Sequence, residues 1–170
     1  MDMTKKLLIE QKKSFESVFY FGHYNLTVED ASLMLDMSQR YIYDRLKDNF
    51  DFVSVNKKQT AVFLDTEHEH LFKKRLFINR KSFRRFLLRD LKVVHQQDNG
   101  AVVYKRIQSW QVDHLMSGKA RLVSMNTLKD WWGCKHNMQV YRKLRMDKTP
   151  KIALVSNSDE KPMIRYFFTI

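Results

Sequence analysis

The chain has 170 residues, of which 44% are apolar and 13% aromatic, and this composition is sufficient for a folded core. Its 31 Lys and Arg outnumber 19 Asp and Glu and give a formal net charge of +12, which favours a polyanionic partner, nucleic acid first and acidic membrane second. No apolar run reaches the roughly 18 residues of a membrane-spanning helix, no signal-peptide pattern opens the sequence, and a single cysteine excludes an internal disulfide and a multi-cysteine zinc site. We therefore expect a cytoplasmic protein that needs no metal or other cofactor.

Two short helices separated by a tight turn are predicted between residues 26 and 46, after one N-terminal helix within residues 1–24. Thr27 is placed as the N-cap of the first helix, with acidic residues in the first turn, and Ser38 as the cap of the second. The expected buried positions are Ala31, Met34, Leu35, Ile42 and Leu46. This pattern leaves Gln39, Arg40 and Tyr43 on the outer side of the second helix.

A β-hairpin is predicted directly after these helices. Residues 52–55 alternate in polarity, residues 60–64 form a returning strand, and the polar tip between them carries Lys57 and Lys58. Two lysines at a hairpin tip are suited to contact a phosphate backbone beside the second helix. Residues 25–70 are thus predicted to form a helix-turn-helix followed by a wing.

Residues 71–104 are predicted to form a basic helical connector, because nine bases and one acid lie between residues 71 and 92. Apolar side chains recur at helical spacing on one side, and Arg84, Arg85, Arg89 and Lys92 lie on another. This basic face is either a phosphate-contacting surface or an ordinary solvated one. A turn is expected at residues 98–100, and residues 102–110 fit either a short helix or a strand.

Residues 105–170 repeat the pattern of the first unit. Ser124 falls opposite Thr27, and Val140 and Leu144 fall opposite the buried positions of the second helix. Strands are predicted at residues 151–155 and 163–168, with a polar tip between them. The expected fold is therefore mainly α with small β-hairpins (α+β), with two tandem winged helix-turn-helix units that form an internal pseudo-dimer.

The first unit resembles the winged helix-turn-helix of excisionases and MerR-type regulators. The resemblance rests on the LTVEDA opening of residues 26–31, the Met-Ser pair at the turn and the YIYDRL run of residues 41–46. It implies that Ser38, Gln39, Arg40 and Tyr43 enter the major groove of DNA and that the wing lysines contact the backbone. Two such units in one chain resemble the TraN-type DNA-binding proteins of Gram-positive conjugative plasmids.

In the second unit the same groove role is expected of polar side chains around the start of its second helix. Asn, Gln and Arg are residue types that pair with adenine or guanine edges. The candidates are Lys135, His136, Asn137, Gln139 and Arg142, with Arg84, Arg85 and Arg89 of the connector as candidate phosphate contacts.

Several other residues have side chains that could stack on bases, bind a metal or act in catalysis, but the sequence favours a structural role for each of them. Trp131 and Trp132 fall opposite Met34 and Leu35, so we expect them in the core rather than as base-stacking surfaces. The EHEH run of residues 67–70 places its histidines on different sides of a helix, which disfavours a metal site. Cys134 is expected to be a small buried hydrophobe, and no nucleophile, paired-carboxylate or phosphate-loop motif indicates an enzyme.

The leading hypothesis is a sequence-specific double-stranded DNA-binding protein, an accessory or regulatory factor of a mobile element. It would act at a conjugative transfer origin or as a repressor, with one monomer reading two half-sites. Its expected protein partner is a relaxase, a recombinase or another DNA-processing protein. The alternative is a small replication-initiation or recombination directionality factor that bends DNA and recruits an enzyme. A third interpretation, an RNA or single-strand binder, would use exposed aromatic side chains for stacking.

Overall fold

A computed structural model describes residues 26–55, 75–155 and 161–170. Within these ranges the fold is mixed α/β, with six helices and two antiparallel sheets. One sheet has five strands, so the β part is larger than the small hairpins predicted from the sequence. Over the same ranges, no helix has both the length and the apolar character needed to cross a bilayer.

Two compact units make up the chain. One consists of Met1–Asp30 and Gln39–Phe83, and the other of Ala31–Ser38 and Arg84–Ile170. The boundaries after residues 30 and 83 therefore fall inside helices, and the one after residue 38 falls where a helix begins. Of the residues predicted to form the connector, those up to Phe83 are grouped with the first unit and those from Arg84 with the second.

The sheet of the first unit has three strands. These are β1 (Leu26–Thr27), β2 (Phe52–Val55) and β3 (Arg75–Ile78), in the spatial order β1-β3-β2. Strand β3 pairs with both neighbours, since Ile78 lies opposite Leu26 on one side and Phe52 on the other. The strand paired with β2 therefore comes from residues that were predicted to be connector, while the expected returning strand 60–64 and the wing lysines Lys57 and Lys58 lie outside the described residues.

Two helices follow β1. Helix α1 (Val28–Leu35) begins as predicted at Thr27, whose Oγ1 accepts a hydrogen bond from the Asp30 backbone N–H (3.0 Å), while Asp30 Oδ2 accepts one from the Thr27 N–H (3.2 Å). Helix α2 (39–49) starts with one α-helical turn, continues as a π-helical stretch (Ile42–Leu46) and ends in a 3₁₀ turn. Its inward positions Ile42 and Leu46 are fully buried, as expected.

Helix α3 (Arg80–Asp90) leads into the second unit, and it is the only helical part of the predicted connector among its described residues, 75–104. Residues 91–96 form strand β4 (Leu91–Gln96), which is joined to strand β5 (Val102–Arg106) by the turn predicted at residues 98–100. Gly100 in that turn has φ +83°, a conformation that favours glycine. The run Leu-Lys-Val-Val at the start of β4 is rich in β-branched residues, which favour a strand over a continued helix.

The second unit continues with α4 (Ser109–Met116), β6 (Ala120–Val123), α5 (Met125–Trp132), α6 (Asn137–Met146), β7 (Lys151–Leu154) and β8 (Met163–Thr169). Its five-stranded sheet has the order β5-β4-β7-β8-β6. Residues 102–106, which the sequence left open, are thus an edge strand.

Helices pack on both faces of this sheet. Tyr166 of β8 belongs to a buried cluster with Leu128 of α5 and Val140 and Leu144 of α6. The next residue, Phe167, points to the opposite face, where its ring lies edge-on to Trp110 of α4, with centroids 5.7 Å apart. Helix α6 therefore rests on the sheet along one side and exposes the other.

The same order of strands and helices occurs twice along the chain, once in each unit. The order strand, helix, helix, strand, strand describes β1-α1-α2-β2-β3 and also β6-α5-α6-β7-β8. In each case the third strand of the set lies between the other two. The second set carries the additional hairpin β4–β5 at its β7 edge.

Candidate nucleic-acid interface

Helices α5 and α6 are joined by a short, well-defined turn at residues 133–136. Helix α5 is N-capped by Ser124, whose hydroxyl accepts a hydrogen bond from the Thr127 N–H (3.3 Å). It ends at Gly133, which is left-handed at φ +61°, and the Cys134 N–H then donates to the Lys129 carbonyl (3.0 Å). The chain reverses at this glycine, and α6 starts four residues later, at Asn137.

The start of α6 is fixed by a reciprocal cap. His136 accepts a hydrogen bond from the backbone N–H of Gln139 through its side chain, and Gln139 Oε1 accepts from the N–H groups of Lys135 (3.0 Å) and His136 (3.4 Å). This capping was not predicted, although His136 and Gln139 stand at the spacing of a capping box. Two candidate groove residues thus also hold the helix in place.

The outer face of α6 is polar and basic. Val140 and Leu144 are buried, whereas all five sequence-predicted candidates of this unit are exposed, four of them around the start of the helix and Arg142 at its middle: Lys135, His136, Asn137, Gln139 and Arg142. The helix contains Arg142, Lys143 and Arg145 and no acid. Arg145, three residues beyond Arg142, extends this basic surface and was not singled out from the sequence.

The two tryptophans of α5 have different environments. Trp132 is half-buried against the core, with its ring edge-on to Phe168 and the Lys143 Nζ 4.3 Å from its centroid. Trp131 is 51% exposed and lies under the Arg121 guanidinium, whose central carbon is 5.0 Å from the ring centroid, so its predicted place in the core is wrong. The core stripe of α5 runs through Leu128 and Trp132, four residues apart, and leaves Trp131 outside it. Cys134 is half-buried against the same core.

Asp36 anchors α5 from a segment distant in sequence. Asp36 Oδ2 accepts hydrogen bonds from the Ser124 N–H (2.8 Å) and the Thr127 hydroxyl (2.7 Å). Arg165 donates to the carbonyls of Leu35 (3.0 Å) and Asp36 (2.9 Å) and so holds the same turn. Partial burial acts to raise the pKa of Asp36, but the hydrogen bonds from Ser124 and Thr127, together with the Arg165 charge, lower it overall.

In the first unit the predicted groove residues lie on one exposed helix. Gln39, Arg40 and Tyr43 are all exposed on α2, directly after the exposed Ser38. Arg40 pairs with Asp44 (3.4 Å), and the Lys47 Nζ lies 5.0 Å from the centroid of the Tyr43 ring. Because acids alternate with bases along this helix, it is less positive than α6.

The predicted basic face of α3 is partly engaged within the protein. Arg84 binds Asp113 through two nitrogens (2.7 and 3.4 Å), and these hydrogen bonds lower the pKa of Asp113. Arg89 contacts the buried Asp90 in the same way (2.9 and 3.0 Å), whereas Arg85 is exposed. Lys92 lies on β4 rather than on the helix.

A metal centre has no candidate among residues 26–55, 75–155 and 161–170, where no group of three or more His, Cys, Asp or Glu side chains is arranged to bind an ion. The EHEH run of residues 67–70 lies outside the described residues.

Comparison with known proteins gives no match to a protein-family model, a curated protein or a solved structure.

Proposed function

We propose that this chain is a sequence-specific double-stranded DNA-binding protein that inserts helix α6 into the major groove. The observation that carries the proposal is the outer face of α6, which is rich in amides and bases, has no acid and is exposed along its length. An α-helix fits the major groove, where Arg pairs with guanine and Asn or Gln with adenine. Arg142, on the side of α6 opposite Val140 and Leu144, is the proposed principal base contact.

We propose further that each unit is a winged helix-turn-helix. The repeated order of elements and the repeated strand arrangement in both sheets support this interpretation. The capped reversal between α5 and α6 fits a helix-turn-helix, and strands β7 and β8 fit the base of a wing. Helix α2, with Gln39, Arg40 and Tyr43, would be the corresponding reading helix of the first unit, so that one monomer reads two unlike half-sites.

The proposed role is that of an accessory or regulatory factor of a mobile element, acting by binding rather than catalysis. Its support is the resemblance of residues 26–64 to excisionases and MerR-type regulators. A relaxase or recombinase that assembles on the same DNA is the corresponding proposed protein partner.

The experiment is selection of bound duplexes from a random pool with the full chain, followed by affinity measurements on the selected site. Replacement Arg142→Ala is expected to relax discrimination between the selected site and its point variants by about 1–3 kcal/mol. Lys119→Ala is the matched control, because Lys119 is an exposed base in the turn between α4 and β6.

Two outcomes would contradict the proposal. One is a selection that yields no preferred duplex, and the other is an Arg142→Ala variant that retains the full preference of the unmodified protein. Equal affinity for the duplex and for its separated strands would instead favour a single-strand binder.

A further inference from the structure

A basic groove of about 840 Å³ lies in the second unit, beside helix α6. Arg145 and Lys148 border it from the end of α6 and the following turn, Lys151 from the start of β7, and Arg106 from β5. None of the described residues that line the groove is acidic. Bases from three separate elements therefore face one space without a neutralising partner among the lining residues.

The strand register adds to this concentration of charge. Lys92 of β4 lies directly opposite Arg106 of β5, and it is also opposite Ala153, which shares a sheet face with Lys151. Like charges directly opposite each other destabilise a sheet. A bound polyanion would offset that repulsion. The arrangement therefore costs stability in the free protein and favours binding of an anionic ligand.

Tyrosines form the less polar part of the groove. Tyr166 does not repel an anion, because a phenol is neutral at physiological pH; burial, together with the nearby Tyr141, raises its pKa further, to about 12. Tyr141, on α6, is exposed at the groove.

The groove is continuous with the proposed reading surface. Helix α6 supplies Arg142 to its outer face and Arg145 to the groove, three residues apart and thus about 4.5 Å along the helix axis. A duplex that contacts Arg142 through its bases brings a phosphate strand close to Arg145. The volume is also far larger than a single phosphate ion needs.

We propose that this groove binds the sugar-phosphate backbone of the duplex that α6 reads, and that the β4–β5 hairpin is a backbone-binding element additional to the wing. This inference rests on the proposed function. Its contacts are independent of base sequence, in contrast to those of Arg142.

The test compares the unmodified 170-residue chain with the double variant Arg106→Gln/Lys148→Gln on the selected duplex between 50 and 200 mM salt. Each lost phosphate contact reduces the slope of log affinity against log salt by about 0.9, so we expect a decrease of about 2 for the pair. The affinity lost over this fourfold salt increase should thus become about 12-fold smaller. The preferred sequence should stay the same, and the melting temperature should be unchanged or higher because like-charge repulsion is relieved.

The control is Lys119→Gln, which removes one positive charge away from the groove and should leave the slope unchanged within about 0.3. An unchanged slope for the double variant, with the unmodified protein still binding duplex, would overturn the groove assignment and leave the role of α6 intact. Saturable binding of ATP or a deoxynucleoside monophosphate that displaces the duplex would overturn it in favour of a small-molecule site. Failure of the unmodified protein to bind any duplex would instead refute the proposed function itself.

Discussion

Replacement of Asp36 is expected to destabilise the second unit more than its half-buried position at a turn suggests. The carboxylate accepts two hydrogen bonds from the start of α5, at 2.8 and 2.7 Å, and the residue has φ +51°. Both features depend on this side chain, because Asp and Asn tolerate the left-handed region better than alanine does.

The magnitude follows from these two contributions. Hydrogen bonds to a charged group contribute about 1.5–3 kcal/mol each when well buried, and partial exposure reduces the pair here to about 2 kcal/mol. Alanine adds about 1 kcal/mol of backbone strain. We therefore expect a loss of about 3 kcal/mol for Asp36→Ala, about 2 kcal/mol for Asp36→Gly, which relieves the strain, and about 1 kcal/mol for Asp36→Asn, which retains a neutral acceptor.

The pH dependence provides a second measurement of the same contact. The pKa of Asp36 is lowered from its ordinary value of 3.8, so the folded state favours the charged carboxylate. The stabilisation is present above pH 3.8 and is lost as the pH falls through the lower folded-state pKa. The difference in stability between the unmodified protein and Asp36→Asn should accordingly shrink in acid.

The assay is urea denaturation of the full chain at pH 7 and pH 3, monitored by tryptophan fluorescence and circular dichroism. A loss below about 0.5 kcal/mol for Asp36→Ala, or equal losses for alanine and glycine, would refute this reasoning.

Three further predictions concern α6 and stoichiometry. Leu144→Ala, in the buried cluster beneath the helix, should cost about 2–5 kcal/mol, whereas Met146→Ala at an 82% exposed position should cost less than about 0.5 kcal/mol by the same denaturation assay. Gln139→Ala removes one side of the cap of α6 and should cost about 1 kcal/mol and weaken DNA binding, and a stable variant with full affinity would argue against this capping role. Native mass spectrometry of the protein on its selected duplex should give one chain per duplex, and two chains on a palindrome would contradict the two-half-site proposal.

Local sequence signals predicted much of the secondary structure. Thr27 and Ser124 mark the starts of α1 and α5, and Gly100 lies in the predicted turn. Each of these positions has a side-chain or backbone requirement that its neighbours do not share. The paired apolar positions Val140 and Leu144 likewise predicted the inward face of α6.

Other features depended on residues far apart in the chain. The apolar spacing of α3 continues through Leu91 and Val94, so the change from helix to strand is set by the pairing of β4 with β5 and β7 rather than by periodicity. The pairing of β2 with β3 joins segments about 20 residues apart, which no local pattern indicates. The contacts of Asp36 with Ser124 and Thr127 span an even larger separation.

Only part of the candidate site was predicted, because the rest also depends on residues that are far apart in the chain. The exposed residues of α6, such as Asn137 and Arg142, follow from the helix pattern alone. The groove beside it is formed by α6, β5 and β7. Arg106 and Lys151 could not be predicted as site residues, because the sequence does not show that these three elements lie next to one another. Trp131 was wrongly predicted to lie in the core because it was aligned with the buried Met34. The contact of its ring with Arg121 at the surface was not visible from that alignment.

Methylation interference on the selected duplex tests most directly whether α6 reads the major groove. Guanine N7 lies in the major groove and adenine N3 in the minor groove, so methyl groups at the two positions report on different surfaces of the same DNA. We predict interference at guanine N7 within the site and its loss at one guanine when Arg142→Ala is used. Interference confined to adenine N3, or an Arg142→Ala pattern identical to that of the unmodified protein, would contradict the proposed placement of α6.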